Sequence, residues 1–211
     1  MIVKTFNFPL FMNGNCYLVY DENSSEAVLV DCGRGFNKIN SFCAEHGLTV
    51  KYVLLTHGHF DHIYDGSEWQ KAGAEIYVHE ADEDKLYTQG SMGGRFGLKT
   101  GSRYFHADKL LKGGEKLDLA GVRFEVIHTP GHTPGGVCYL AGNALFSGDT
   151  IFAGSYGRTD FPGGSIDALV SSAAKLFSID NARNITVYPG HGPVSNLEYE
   201  VRNNPINYVI L

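Results

Sequence analysis

The 211-residue chain has no apolar tract long enough to cross a bilayer. Tracts such as AVLV (27–30) and YVLL (52–55) fall far short of the ~20 residues a spanning helix requires. It also lacks a basic block or stripe. Seventeen Lys and Arg stand against 23 Asp and Glu, a formal charge of −6, which disfavours nucleic acid as the main partner. Cysteine is sparse: Cys16, Cys32, Cys43 and Cys138 form no CxxC pair and sit among apolar neighbours. That pattern argues against a disulfide framework and for buried free thiols in a reducing cytoplasm. The start, MIVKTFNFPLF, shows one lysine and no small-residue cleavage pattern, so it reads as a mature N-terminus and the expected location is cytoplasmic. No GxGxxG follows an early strand and no GxSxG nucleophile elbow is present, which argues against a dinucleotide fold and a serine hydrolase.

Glycine, in contrast, is plentiful. Many of its 26 residues lie beside histidine or aspartate, as expected of shaped loops around a site. The length suits one domain spanning 1–211. NCYLVYD and EAVLVDCG, joined by the turn-rich ENSS, read as an antiparallel hairpin. Phe36, Ile39, Phe42 and Cys43 mark one face of a helix that stops near Gly47. KYVLL and EIYVH are short strands, with residues 63–72 helical between them, Gly66 being the weak point, and EADEDKLY starting as an acid-rich helical turn. Residues 89–106, with Phe96, Tyr104 and Phe105, read as an ordered loop or lid. EKLDLAG, VRFEVIHT, GVCYLAG and NALFSGD restart the strand pattern, followed by a helix in SIDALVSSAAKLFSI and a last strand in NITVYPGHG. Both halves run from strands into helix, with polar residues where strands stop. Two mixed β-sheets packed face to face with helices outside, an α/β αββα sandwich, satisfy that order.

The chemistry concentrates in THGHFDH. His57, His59, Asp61 and His62 place four nitrogen or oxygen donors within six residues after an apolar strand, a metal-binding pattern rather than a chance cluster. TPGHTPGG presents His132, FSGDT presents Asp149 and YPGHG presents His191, each in a glycine-containing turn beyond a strand. Five histidines and two aspartates exceed what one tetrahedral ion needs. They suit two ions if one carboxylate bridges both. His46 reads as a helix end, and His79 as a less favoured ligand. His128 reads as a structural or supporting residue.

HxHxDH, TPGHTPG, GDT and PGHG, in that order, resemble the metallo-β-lactamase superfamily of binuclear metallohydrolases. The resemblance implies that His57, His59 and His132 hold one metal. Asp61, His62 and His191 hold a second, with Asp149 bridging. Asp61 and Asp149 are then the catalytic carboxylates. Two divalent ions, zinc first with iron or manganese as alternatives, leave this acidic chain with an electropositive site suited to a small anionic substrate. GSYGRTDFPGG and GHGPVSNLEYEVRNNP further resemble small glyoxalase II-like (hydroxyacylglutathione hydrolase-like) enzymes, which implies thioester hydrolysis with a glutathione-derived thioester as the substrate. Arg158, nine positions after Asp149, could clamp a substrate carboxylate or pair with Asp160. Tyr156 and His106 are the other substrate-contact candidates. An iron-dependent persulfide dioxygenase, which shares a GRTDF-like stretch, and a non-enzymatic metal-binding relative are the alternatives.

Overall fold

The computed structural model describes residues 1–9, 12–98 and 103–209. The first sheet takes β1 (Ile2–Phe8), β2 (Gly14–Tyr20) and β3 (Glu26–Val30), then β4 (Thr49–Leu54), β5 (Glu75–His79) and β6 (Lys109–Leu111), adjacent in that order. Its first three strands pair antiparallel and the rest parallel, so the expected β2–β3 hairpin is present. The second sheet is built from β7 (Lys116–Leu119), β8 (Val122–His128), β9 (Val137–Ala141) and β10 (Ala144–Gly148). A two-stranded hairpin, β11 (Ile151–Phe152) with β12 (Ser155–Tyr156), follows, and β13 (Thr186–Pro189) and β14 (Ser195–Asn196) complete the sheet in the order β14-β13-β10-β9-β8-β7.

Each central strand buries both faces, which is why its sequence reads as a continuous apolar run. Tyr17, Val19, Val28, Val30 and Leu54 point inward to meet Phe124, Tyr139 and Phe146 of the second sheet. Their alternates, including Leu18, Leu29 and Val53, point outward, packing with Ile39 and Cys43 of α1 (Phe36–Glu45) and with Trp69. On the other outer face Leu145 and Val187 pack with Leu169, Ala173 and Leu176 of α4 (Ile166–Phe177), a helix capped by Ser165, and with Leu197 of α5 (Leu197–Asn203). The result is the αββα sandwich, two mixed sheets flanked by helices.

Between β4 and β5 the structure corrects the expected single helix over 63–72. The chain forms α2 (Phe60–Ile63) and α3 (Gly66–Lys71), broken at Tyr64 and Asp65. The break has a partner-driven cause: Asp65 turns its carboxylate to the backbone N–H of Phe36 and to Arg103. EADEDKLY is a 3₁₀ stretch, Glu80–Tyr87. All four cysteines are buried and free. No helix among the described residues is long and apolar enough to cross a membrane.

Candidate metal centre

The strands carrying the histidine and aspartate motifs end at one edge of the sandwich. β4 runs into Thr56–His59, α2 carries Asp61 and His62, and the β8–β9 loop carries His132. β10 and β13 are parallel, with Gly148 beside Pro189, so Asp149 and His191 leave the sheet together. Cross-sheet bonds fix this edge. The Val137 amide donates to Thr56 O (2.8 Å), the Tyr139 hydroxyl to Leu55 O (2.7 Å) and the Tyr17 hydroxyl to Pro189 O (2.6 Å). The Asn15 side-chain amide donates to Pro189 O and Gly192 O, fastening the His191 turn to the first sheet.

The donors meet in three overlapping groups: His57, His59 and His132; Asp61, His62 and His191; and His57, His62 and Asp149, with ligand atoms in each within 4.8 Å of one another. Asp149 lies between the two triads. Its Oδ2 is 3.4 Å from His132 Nε2 and 3.5 Å from His191 Nε2, and its Oδ1 is 3.4 Å from His62 Nε2. His191 Nε2 is also 3.3 Å from Asp61 Oδ2.

These residues fit metal ions on their own geometry. His57 Nε2 and Asp149 Oδ1 are buried with no hydrogen-bond partner, a costly state unless a ligand completes it. The outer nitrogens of three rings are already engaged. His62 Nδ1 donates to Asp31 Oδ2 (2.8 Å) and His132 Nδ1 to Arg158 O (2.7 Å). The Thr56 hydroxyl donates to Asp31 Oδ2 (2.8 Å), which leaves its oxygen to accept from His57 Nδ1 (3.1 Å). Each ring therefore turns its Nε2 inward, the orientation a metal ligand needs. His132 Nε2 and His59 Nδ1 approach to 2.8 Å.

Protonation follows the same division. Burial, then the neighbouring histidines, hold His57 well below the usual imidazole range, and burial and His132 bring His59 to about 3. Burial also opposes charge on His62, but Asp31, Asp149 and Asp61 outweigh it and raise it to about 10. Burial likewise opposes charge on His191, where Asp149 and Asp61 prevail and raise it. Asp61 is pushed up by burial and pulled further down by His62 and His191, ending below the carboxylate range. The Asp61–His62–His191–Asp149 half thus demands positive charge, whereas His57 and His59 offer neutral lone pairs.

The cluster opens into a pocket of about 370 Å³, walled by Met12, Phe60, Met92, Phe96, Phe152 and Phe161 with Tyr156 and Arg158. A larger hollow of about 800 Å³ around Phe8, Arg34 and Tyr64 contains none of the seven donors. Of the expected substrate contacts, Tyr156 and Arg158 line the metal pocket. Arg158 gives both Nε and one terminal nitrogen to the Asp160 carboxylate, each at 2.6 Å. His106 is not among the lining residues. It is largely exposed, tilted against the Tyr87 ring with centroids 4.3 Å apart and 3.6 Å from Glu83. In the expected lid, 89–98 fold as short 3₁₀ turns that set Met92 and Phe96 in the pocket wall, while 99–102 lie outside the described residues. Tyr104 pairs with Gln89 and Phe105 packs over Gly66, both off the pocket. His79 stacks on His128 at 4.1 Å, and His128 Nε2 donates to Pro134 O.

Sequence reasoning missed the residues that hold this arrangement. Asp31 aims His62 and Thr56, and its only signal was a buried-looking aspartate at the end of EAVLV. Asp82, wholly buried, accepts from the amides of Gly58 and Gly135, tying the His57–His59 loop to the His132 loop. Nothing in the acid-rich EADEDKLY singled it out. Glu200 and Asn204 hold the β11–β12 hairpin through Gly154 N and the carbonyls of Phe152 and Ser155.

Residues 10–191 match the family model of the metallo-beta-lactamase superfamily, and the chain belongs to it. Together with the fold and the donor clusters, this defines a metal-dependent hydrolase able to take two ions. Among its relatives, the hydroxyacylglutathione hydrolase GloC of Haemophilus influenzae is 34% identical over 196 residues, covering 90% of this chain and 91% of its own. The solved BLEG-1 B3 metallo-beta-lactamase superposes with a TM-score of 0.89 at 31% identity, covering 97% of this chain and 98% of its own. TTHA1623, solved in a di-iron-bound form, gives 0.83 at 34% identity, with 97% and 99% covered.

Proposed function

We propose that the chain hydrolyses small thioesters in the manner of glyoxalase II, with His57, His59 and His132 holding one divalent ion and Asp61, His62 and His191 a second. Asp149 serves both. The observation that carries this reading is the position of that one carboxylate, within 3.5 Å of ligand nitrogens of both triads. Zinc is the expected ion for a nitrogen and oxygen donor set, and iron or manganese could be bound by the same donors. Bound ions of this kind supply an ionised water near neutral pH and polarise a carbonyl.

The chain's own groups do the rest. Asp31, Thr56 and the Arg158 carbonyl fix the ring orientations. Asp61 Oδ2, held ionised by its histidine neighbours, would accept a hydrogen bond from the attacking water and so orient it. The apolar wall restricts water at the reacting carbon. Cleavage gives a carboxylic acid and a thiol, and the proton removed from water is returned to the departing sulfur. Support for thioesters over other acyl substrates comes from the GRTDFPGG loop, which lines the pocket through Arg158 and Phe161, and from the similarity to GloC.

The test is to reconstitute chelator-treated protein with zinc, iron or manganese. Thiol release from hydroxyacylglutathione and simpler thioesters is then followed beside oxygen uptake with a persulfide. Metal-dependent thiol release without oxygen uptake is expected. Oxygen-dependent persulfide turnover without hydrolysis would replace the reading with the dioxygenase one, and two bound ions with neither activity would leave a non-enzymatic relative.

A further inference from the structure

The pocket wall says which thioesters suit it, an inference that rests on the hydrolase reading above. Five apolar side chains from four segments line the pocket beside the donor cluster: Met12, Phe60, Met92, Phe96 and Phe161. The rings form a connected cup, with Phe60–Phe96 centroids 5.2 Å apart, Phe96–Phe161 6.5 Å and Phe161–His59 5.7 Å. Met12 and Phe96 are 48% and 44% exposed, so two of the seven exposed large hydrophobics among the described residues stand at this one mouth. Exposed apolar surface gathered beside a reactive centre marks a place that a ligand covers.

Apart from the histidines of the metal cluster, Arg158 is the one basic side chain among the described lining residues, and its fork is closed. Asp160 takes both donors in bidentate geometry, and the Arg158 guanidinium lies 3.9 Å from the Phe161 ring centroid. The guanidinium in turn holds the Asp160 carboxyl down to about 2. A substrate carboxylate competing for those two donors must displace a partner two residues away, whose effective concentration far exceeds that of a dissolved metabolite. Arg95 also stacks on Phe161, at 5.7 Å, so cations here brace the cup's rim.

We infer that the preferred substrate carries an uncharged apolar group, aromatic or aliphatic, seated in the Phe60–Phe96–Phe161 cup, and that Asp160 sets this preference by withholding Arg158 from substrate carboxylates. Asp160 is a specificity residue acting through Arg158. The cup also accounts for a feature the donor cluster alone does not, namely why the wall above it is built of phenylalanine and methionine.

Three thioesters separate the possibilities on zinc-loaded protein: lactoylglutathione, phenylacetyl-N-acetylcysteamine and S-benzyl thioacetate, each rate taken relative to its own spontaneous hydrolysis. At least one of the two neutral apolar esters should exceed lactoylglutathione about tenfold in kcat/KM, since each buried methylene is worth roughly fourfold. Phe96→Ser should lower the apolar esters selectively. Asp160→Asn should raise lactoylglutathione relative to the neutral pair by roughly two- to fivefold, mainly through KM, the scale of an exposed bidentate pair. Wild-type preference for lactoylglutathione, or variants that shift all three esters alike, would overturn the inference.

Calorimetric binding of S-hexyl-N-acetylcysteamine and S-hexylglutathione, thioethers that cannot be hydrolysed, reads the cup without turnover. The neutral thioether should bind wild type at least as tightly, and only S-hexylglutathione should gain from Asp160→Asn. That result without thioester hydrolysis would remove the hydrolase reading and keep the cup. Hydrolysis without these preferences would do the reverse.

Discussion

Replacing Asp82 by alanine tests whether the two histidine loops are held by one buried carboxylate. Asp82 Oδ2 accepts from Gly58 N at 2.9 Å, and Oδ1 accepts from Gly135 N at 2.8 Å and faces Lys85 Nζ at 2.9 Å. The Lys85 side chain is only 10% exposed, so removing Asp82 leaves a largely buried ammonium with only the looser Asp84 contact at 3.8 Å, together with two unpaired peptide N–H groups. Loss of one member of a buried ion pair costs about 3–5 kcal/mol, and the orphaned amides belong to that same loss rather than adding to it. Unfolding of chelator-treated Asp82→Ala in urea should therefore show a stability deficit of about 3–5 kcal/mol at pH 7. Zinc affinity should fall as well, because His57, His59 and His132 would lose their common strap. Adding Lys85→Met should restore part of the stability, since it removes the stranded charge.

The pH dependence has a definite sign. Burial raises the Asp82 carboxyl, but Lys85 and the amide bonds outweigh it, leaving it below its ordinary value. A depressed folded value means the contribution is complete above the unfolded pKa of ~3.9 and is lost as pH falls through the folded one. The gap between wild type and variant should stay level from about pH 5 to 8 and close below about 4. A deficit under about 1 kcal/mol at pH 7, or a gap that widens on acidification, would refute the strap.

Asp149→Ala should weaken both ion sites together, and a metal titration that still shows two unaltered sites would remove it from the shared position. At Gly190 a Cβ would fall 2.3 Å from Asp149 Oδ1 and 2.7 Å from His62 Cε1, so Gly190→Ala should cut metal affinity by more than about tenfold while far-ultraviolet circular dichroism stays native. Asp31→Asn should lower affinity at the Asp61–His62–His191 site by about 10–100-fold, because His62 Nδ1 loses its anionic acceptor. A competition assay with a zinc indicator would read this, and unchanged affinity would contradict the orienting role.

Much of the sandwich was legible because strands and donors leave local marks. YVLL and AVLV are apolar without alternation since both of their faces are covered, and the histidine and aspartate motifs lie beyond strands with glycine beside them. The pairings of β10 with β13 and of β5 with β6 span long connections and were decided by packing. The marks end where a side chain chooses a distant partner. Asp65 breaks the 63–72 helix because Phe36 N and Arg103 lie in reach, a fact of packing that no window of sequence contains. Asp31 and Asp82 look like any strand-end or turn aspartate until the fold brings His62, Gly58 and Gly135 to them. His106 carried the same donor atoms as His132, yet it faces Glu83 and Tyr87 because the chain leaves the pocket before reaching it. The apolar cup is likewise assembled from four segments, each holding one or two of its residues. Composition and periodicity determined the layers and the donor set, since both depend on neighbours in the chain. The aim of each imidazole, the closing of Arg158 by Asp160 and the character of the pocket wall were decided by contacts through space, which exist only once the sheets have packed.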